Sequence, residues 1–207
     1  KTKKKTVNER SKTEPINPYG KSKLLTEKYL LKLSKKKNIK CSILRYFNVA
    51  GADPELRSGL ISKYPTHLIK IASQAAIGKR DSVTIFGNDY NTRDGTAIRD
   101  YIHVSDLADI HVESLKYLLE KKHSKILNCG YGIGYSVKEV LDTLNKICNK
   151  KINIEYGNRR SGDAVSLVSD VNKLMQTIHW SPKYNDLEII LKTAIRWEEK
   201  LQNEKIL

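Results

Sequence analysis

The chain has 207 residues, enough for one domain or two small ones with a real core, and its hydrophobic (39%) and charged (29%) fractions are ordinary for a soluble globular protein. No run approaches the ~20 apolar residues a membrane-spanning helix needs, and the opening K-T-K-K-K-T has no apolar stretch to act as a signal peptide. Cys41, Cys129 and Cys148 are odd in number and scattered, without C-x-x-C spacing, which argues for reduced thiols in the cytoplasm over disulfides, a zinc site or any other metal centre.

The net charge of +15 is uneven. Residues 1–40 carry 14 of the 38 Lys and Arg but only 3 of the 23 acids. A basic arm on nucleic acid would have this distribution, and so would a solvated lysine-rich surface. No aromatic interleaving or zinc-finger spacing accompanies the charge, so the solvated surface is the reading taken.

In chain order, residues 1–16 are polar and aperiodic and are expected to form an exposed lead-in. Pro18 suits a first helical turn, and Leu25, Tyr29 and Leu33 repeat at i, i+4 and i+8, predicting a helix to about residue 36. Residues 39–47 are β-rich with an apolar centre and predict a buried strand. A helix over 66–77 closed by Gly78 follows, then a strand over 83–86 and a loop over 87–95 rich in turn residues. After an extended piece over 98–102, Ser105 is placed to cap a helix over 106–119. A strand over 125–129 runs into G-Y-G-I-G, and Ser136 caps a helix to about 148 with Glu139 at the capping-box position. A strand over 152–156, a loop over 157–163, a short helix over 171–178 and a last helix from 187 to about 200, capped by Asp186, complete the chain. Strands alternate with helices, the pattern of an α/β fold.

Tyr19 and Lys23 are the first candidates for chemistry. Four residues apart on a helix, they share one face. A free tyrosine has a pKa near ~10, and a neighbouring cation lowers it toward the range of a working base. Such a phenolate can take a proton from an alcohol while hydride leaves the same carbon. Y-x-x-x-K alone also describes a surface lysine beside a half-buried tyrosine. G130-Y-G-I-G134 follows a strand and precedes a helix, yet it reads G-x-G-x-G and lacks the acidic residue of a dinucleotide fingerprint. His103 and His111 lie eight apart, which is no metal spacing, and both read as structural.

Taken together, P18-Y-G-K-S-K23, L44-R-Y-F-N-V-A-G-A52, I85-F-G-N-D-Y90, D94-G-T-A-I-R-D-Y-I-H-V-S-D-L-A108 and R159-R-S-G-D163 resemble the UDP-glucose 4-epimerases of the extended short-chain dehydrogenase/reductase superfamily, from about residue 16 to the last helix. The resemblance implies interconversion of UDP-galactose and UDP-glucose through a tightly held NAD. It makes Tyr19 the group that removes the 4-hydroxyl proton and Lys23 the ligand of the nicotinamide ribose that holds down the tyrosine pKa. Phe47 would lie against the nicotinamide, and Asn48 would contact the sugar nucleotide. Arg99 and Arg160 would hold the UDP phosphates, Asp163 the ribose or its own loop, and Thr84, Ile85 and Phe86 the uracil. His67 and Leu68 match a further substrate contact.

The same resemblance divides the chain into the last part of a Rossmann-type NAD-binding domain (1–50) and a smaller α/β sugar-nucleotide domain (51–207) with segments returning to the Rossmann sheet. The family's glycine-rich NAD turn and the serine or threonine beside its tyrosine have no counterpart here, so the expectation is the C-terminal part of an epimerase. Its partners would be a UDP-sugar, a separate chain supplying the N-terminal Rossmann half, and a second copy in a homodimer. The first helix and strand are then expected to expose apolar surface. Two departures stand out. Leu167 replaces a common tyrosine at the sugar pocket, which would admit an N-acetylated sugar, and Lys70 replaces a common proline. Other readings are an NAD-dependent sugar-nucleotide dehydratase and a non-catalytic UDP-sugar-binding module.

Overall fold

A computed structural model describes residues 6–37 and 39–206. The elements in order are α1 (Pro18–Lys37), β1 (Ser42–Tyr46), β2 (Asn48–Ala50), α2 (Leu68–Ala76), β3 (Ser82–Phe86), β4 (Ile98–His103), α3 (Val104–Lys121), β5 (Lys125–Cys129), β6 (Gly134–Ser136), α4 (Val137–Cys148), β7 (Asn153–Gly157), β8 (Ser166–Leu167), α5 (Asn172–Thr177) and α6 (Leu187–Asn203). The architecture is mixed α/β with parallel pairings predominating.

Three small sheets share the strands. β1 runs parallel to β5, from Ser42 opposite Lys125 to Tyr46 opposite Cys129. At Phe47, whose N–H still donates to the Cys129 carbonyl, the chain leaves that sheet. β2 then pairs with β4, which also carries β6 and the two-residue β8. The strand expected over 39–47 is therefore β1, shorter at its start, and a second strand in another sheet follows it directly after Phe47. β3 and β7 form a separate parallel pair.

The main core lies where α2, α4 and α6 pack together, with Ile69, Ala72, Val140, Leu141, Leu144 and Ile190 essentially without exposure. The spacing 140, 141, 144 is one stripe of a helix, and its ends are fixed locally. Ser136 and Glu139 form the full capping box, and Asn149 closes the helix in the left-handed region at φ 47°. Asp186 caps α6 by accepting from the N–H groups of Glu188 and Ile189. A second core packs α3 and α5 against β5 through Ile110, Leu127, Leu174 and Trp180.

Two expectations need correction. The cap of α3 is His103, whose Nδ1 accepts from the Ser105 N–H at 3.1 Å, because the helix starts at Val104 and leaves Ser105 inside the first turn. The lead-in is not free. Val7 bridges Ser169, with Val7 N donating to Val168 O (2.9 Å) and Asp170 N to Val7 O (2.8 Å), while Glu9 Oε1 accepts from Asn128 N (2.8 Å). Residues 1–5 lie outside the described residues. α1, by contrast, buries none of its side chains, and Leu25 and Tyr29 are 66% and 64% exposed. Its firmest tie to the sheet is Glu27, which accepts two hydrogen bonds from the Arg45 guanidinium, at 2.9 and 2.5 Å.

Candidate functional site

N-P-Y-G builds the start of α1. Asn17 Oδ1 accepts from the Gly20 N–H at 2.7 Å, Pro18 stands where no N–H is needed, and the next turn carries Lys23 back over Tyr19. The Lys23 ammonium sits 5.2 Å from the centroid of the Tyr19 ring. Tyr19 is 69% exposed and stands at the edge of a cavity of about 910 Å³ that Phe47, His67, Tyr184 and Trp197 also line. Burial pushes the His67 imidazole below its ordinary pKa, so it faces the cavity as a neutral ring near pH 7.

The residues expected at the nucleotide end lie outside that cavity, on the β3, β4 and β8 side. Phe86 ends β3 and is 38% exposed, and the Arg160 guanidinium lies over its ring at 4.0 Å. No carboxylate pairs with Arg160 among the described residues. Arg99 is committed: it donates to the Ile98 and Ala164 carbonyls at 2.8 Å and to Asp163 at 3.1 Å. Asp163 thus ties its own loop to Arg99. Thr84 is part-exposed, but the Ile85 side chain is turned into the core, leaving only its backbone for a ligand. Leu68 packs on the core from the start of α2, and Asn48 opens β2 opposite Tyr101. Leu167 lies in register with Arg99 and is 37% exposed. The two groups are joined by the lead-in, since Ile16 lies where a side chain on Gly162 would stand.

The long D-G-T-A-I-R-D-Y-I-H-V-S-D stretch proves to be a set of structural staples. Asp94 binds the Ser136 hydroxyl and the Thr96 N–H and hydroxyl. Asp100, wholly buried, accepts from Tyr131 N (3.0 Å), Gly132 N (3.0 Å), Ser169 N (3.1 Å) and Ser169 Oγ (2.5 Å). His103 pairs with Thr193 Oγ1 at 3.1 Å and stacks on Tyr184, and burial lowers its pKa. Asp106 accepts from Tyr131 Oη (2.5 Å), Lys183 N and Tyr184 N.

Sequence reasoning missed Tyr184, Trp197 and the Asp53–Arg57 pair as walls of the cavity. The one available signal was D-P followed within a few residues by glycine, a loop pattern after the N-V-A-G turn.

The sequence matches the family described as "NAD dependent epimerase/dehydratase family" over residues 1–130. The chain belongs to that family. It is 46% identical over 196 residues to a UDP-glucose 4-epimerase of Azospirillum brasilense, covering 95% of this chain and 56% of that protein. Among solved structures it resembles the UDP-glucose 4-epimerase of Stenotrophomonas maltophila, crystallised with NAD and formylated UDP-arabinopyranose, with TM-score 0.91, 32% identity and coverage of 96% and 59% of the two chains. It also resembles the UDP-Glc/GlcNAc 4-epimerase of Campylobacter jejuni, with TM-score 0.77, 46% identity and coverage of 94% and 59%. The chain spans somewhat over half the length of these relatives.

For the family's cofactor, the glycine run among the described residues does not fit the pyrophosphate. The Gly130–Gly134 run is spent on packing. A Cβ on Gly130 would stand 2.6 Å from Asp100 Oδ2, Gly132 N already donates to Asp100, and Gly134 lies against Ile98 and Val168. Tyr19 and Phe47 line the cavity, and the Lys23 ammonium lies over the Tyr19 ring, so these are the side chains that could hold the nicotinamide end.

Proposed function

We propose that this chain supplies the UDP-sugar site and the Tyr19–Lys23 pair of an NAD-dependent UDP-glucose 4-epimerase, completed by a part that carries the NAD pyrophosphate cradle. The observation that carries the reading is the Lys23 ammonium over the Tyr19 ring at the mouth of a cavity lined by Phe47 and His67. The phenolate of Tyr19 accepts the proton of the 4-hydroxyl and returns it after the sugar has turned. Lys23 lies over the Tyr19 ring and donates to the nicotinamide ribose. Phe47 flanks the ring, while Asn48, His67 and Leu68 bound the sugar side. NAD, when bound, supplies the hydride acceptor and donor at sugar carbon 4. At the other end Arg160 is the open cation for the diphosphate, Arg99 and Asp163 fix the loop that carries it, and Thr84, Ile85 and Phe86 offer an edge for uracil.

The domain boundary near residue 50 belongs to this reading, with β5 returning to the β1 sheet. So does a completing Rossmann part, within a longer chain or as a separate one. The exposed apolar side chains of α1 offer surface for it or for a second copy. The three separate thiols agree with a cytoplasmic setting.

Co-expression with a polypeptide carrying the NAD-binding part of a relative tests the proposal. The assembled protein converts UDP-galactose to UDP-glucose, and Tyr19→Phe lowers that turnover by at least ~100-fold, the range of a lost general base, without changing UDP affinity. A Tyr19→Phe protein as active as its parent overturns the assignment.

A further inference from the structure

Helix α6 grips the 52–60 loop with a row of side chains on one face. Thr193 Oγ1 accepts from Ala52 N (3.2 Å), Arg196 Nη1 donates to Pro54 O (3.4 Å), Lys200 Nζ to Leu56 O (2.8 Å) and Trp197 Nε1 to Leu60 O (3.2 Å). Their i, i+3, i+4, i+7 spacing puts them on one stripe. Gly59 lies flat against the Trp197 indole, where a Cβ would stand 2.5 Å from the ring. Within the loop, Asp53 accepts from Leu56 N and from the Arg57 side chain and backbone, and Leu56 is held at φ 57°, while the Leu60 carbonyl at its end accepts only from side chains of α2 and α6 among the described residues. Most of this loop lines the cavity that Tyr19 and Phe47 also line.

One grip comes from elsewhere. Lys70, in the first turn of α2, donates from Nζ to the Leu60 carbonyl at 2.7 Å, and the same ammonium pairs with Glu198 on α6. The two side chains are 5% and 1% exposed. Two helices packing on an apolar core do not need a buried ion pair, and well-packed apolar residues in its place are often as stable. One turn before Lys70 on α2 stands His67, which lines the same cavity.

We propose that Lys70 and Glu198 are positioning residues for the sugar side of the site: the ammonium, neutralised by Glu198, bolts the 52–60 loop to the first turn of α2, so that the loop and His67 form one rigid wall against a UDP-linked hexose. The identity of the ligand rests on the function proposed above; the bolt does not.

Lys70→Met alone strands a buried carboxylate and is expected to unfold the chain, so the informative variant is Lys70→Met/Glu198→Leu, which removes both charges and keeps the volume. Two comparisons with the parent decide the matter. Backbone amides over 56–62 exchange with solvent at least ~10-fold faster in the double variant while those in the middle of α6 do not change. UDP affinity stays within about twofold, and UDP-galactose loses about fivefold more than UDP does, because only the sugar meets the loosened wall. Unchanged exchange over 56–62 overturns the bolt. Faster exchange with equal losses for UDP and UDP-galactose overturns the positioning role and leaves the pair a structural one. A parent chain that binds neither nucleotide overturns the proposed function and with it the sugar-side role, while the exchange comparison still decides the bolt.

Discussion

Replacing Asp100 by asparagine changes one buried oxygen into an amino group, and the structure fixes what that costs. Oδ2 accepts from Gly132 N, Ser169 N and Ser169 Oγ, while Oδ1 accepts from Tyr131 N. An asparagine can keep its carbonyl toward the three donors only by turning its NH2 toward the Tyr131 N–H. One charge-assisted bond is lost outright, the other three become neutral, and a buried N–H is left without an acceptor. At ~1.5–3 kcal/mol for a bond to a charged group and ~1–3 kcal/mol for a stranded donor, with incomplete additivity, Asp100→Asn destabilises by about 3–4 kcal/mol. That is a large share of a typical ~5–15 kcal/mol. For a chain of this size it lowers the Tm by roughly 6–16 °C, and urea unfolding shows the same loss as a lower midpoint with an unchanged slope. A variant within ~0.5 kcal/mol of the parent would refute the view that this carboxylate knits β4, the glycine run and the segment before α5.

Other predictions follow from the same geometry. His103 and His67 both have pKa values lowered by burial, so between their folded values and the ordinary unfolded value near ~6.5 the unfolded chain binds protons that the folded chain refuses. Stability therefore falls as pH drops below about 6.5, by at most ~1.4 kcal/mol per pH unit for each imidazole, and a urea midpoint that stays flat from pH 7 to 5 would contradict this. Asp53 is held below the usual carboxylate range by hydrogen bonds from Arg57, so its contribution is lost only at more acid pH, as a second and separable step. If Arg160 holds the phosphates as proposed, Arg160→Met weakens UDP binding by about 1.5–3 kcal/mol, tenfold or more, and affects uridine far less; titration calorimetry with both ligands reads the difference. Equal losses for uridine and UDP would assign Arg160 to the base instead.

Elements with local signals were legible from the sequence. N-P-Y-G for α1, Ser136 with Glu139 for α4 and Asp186 for α6 each state a helix start in adjacent residues. What stayed hidden depends on partners far along the chain. The two residues of β8 become a strand only because β4 lies beside them, and the aperiodic lead-in is held by Val168, Asp170 and Asn128. The strand expected over 39–47 is found as β1, but the switch after Phe47 into β2 of another sheet is a break no composition marks. His103 displaced Ser105 as the cap of α3 because a buried imidazole had a nitrogen to spare, which no cap preference foretells. The long stretch over 94–108 turned out to use Asp94, Asp100, His103 and Asp106 as staples, and its Arg99 to hold the loop at Ala164 and Asp163. For the site, sequence named Tyr19, Phe47 and His67, which line one cavity, and Lys23, which lies over the Tyr19 ring. It had no means to see Tyr184 or Trp197 as their neighbours, or that Arg99 would be spent on Asp163.

The measurement that tests the account most directly is a thermal melt of this chain with and without UDP. A ligand at ~100 times its dissociation constant adds about 2.7 kcal/mol to the folded state, which for this length is a rise of roughly 5–11 °C. A cooperative transition that rises by that amount with UDP, and much less with Arg160→Met, is the predicted result. A cooperative transition that saturating UDP leaves unmoved would contradict the claim that these residues carry the nucleotide site.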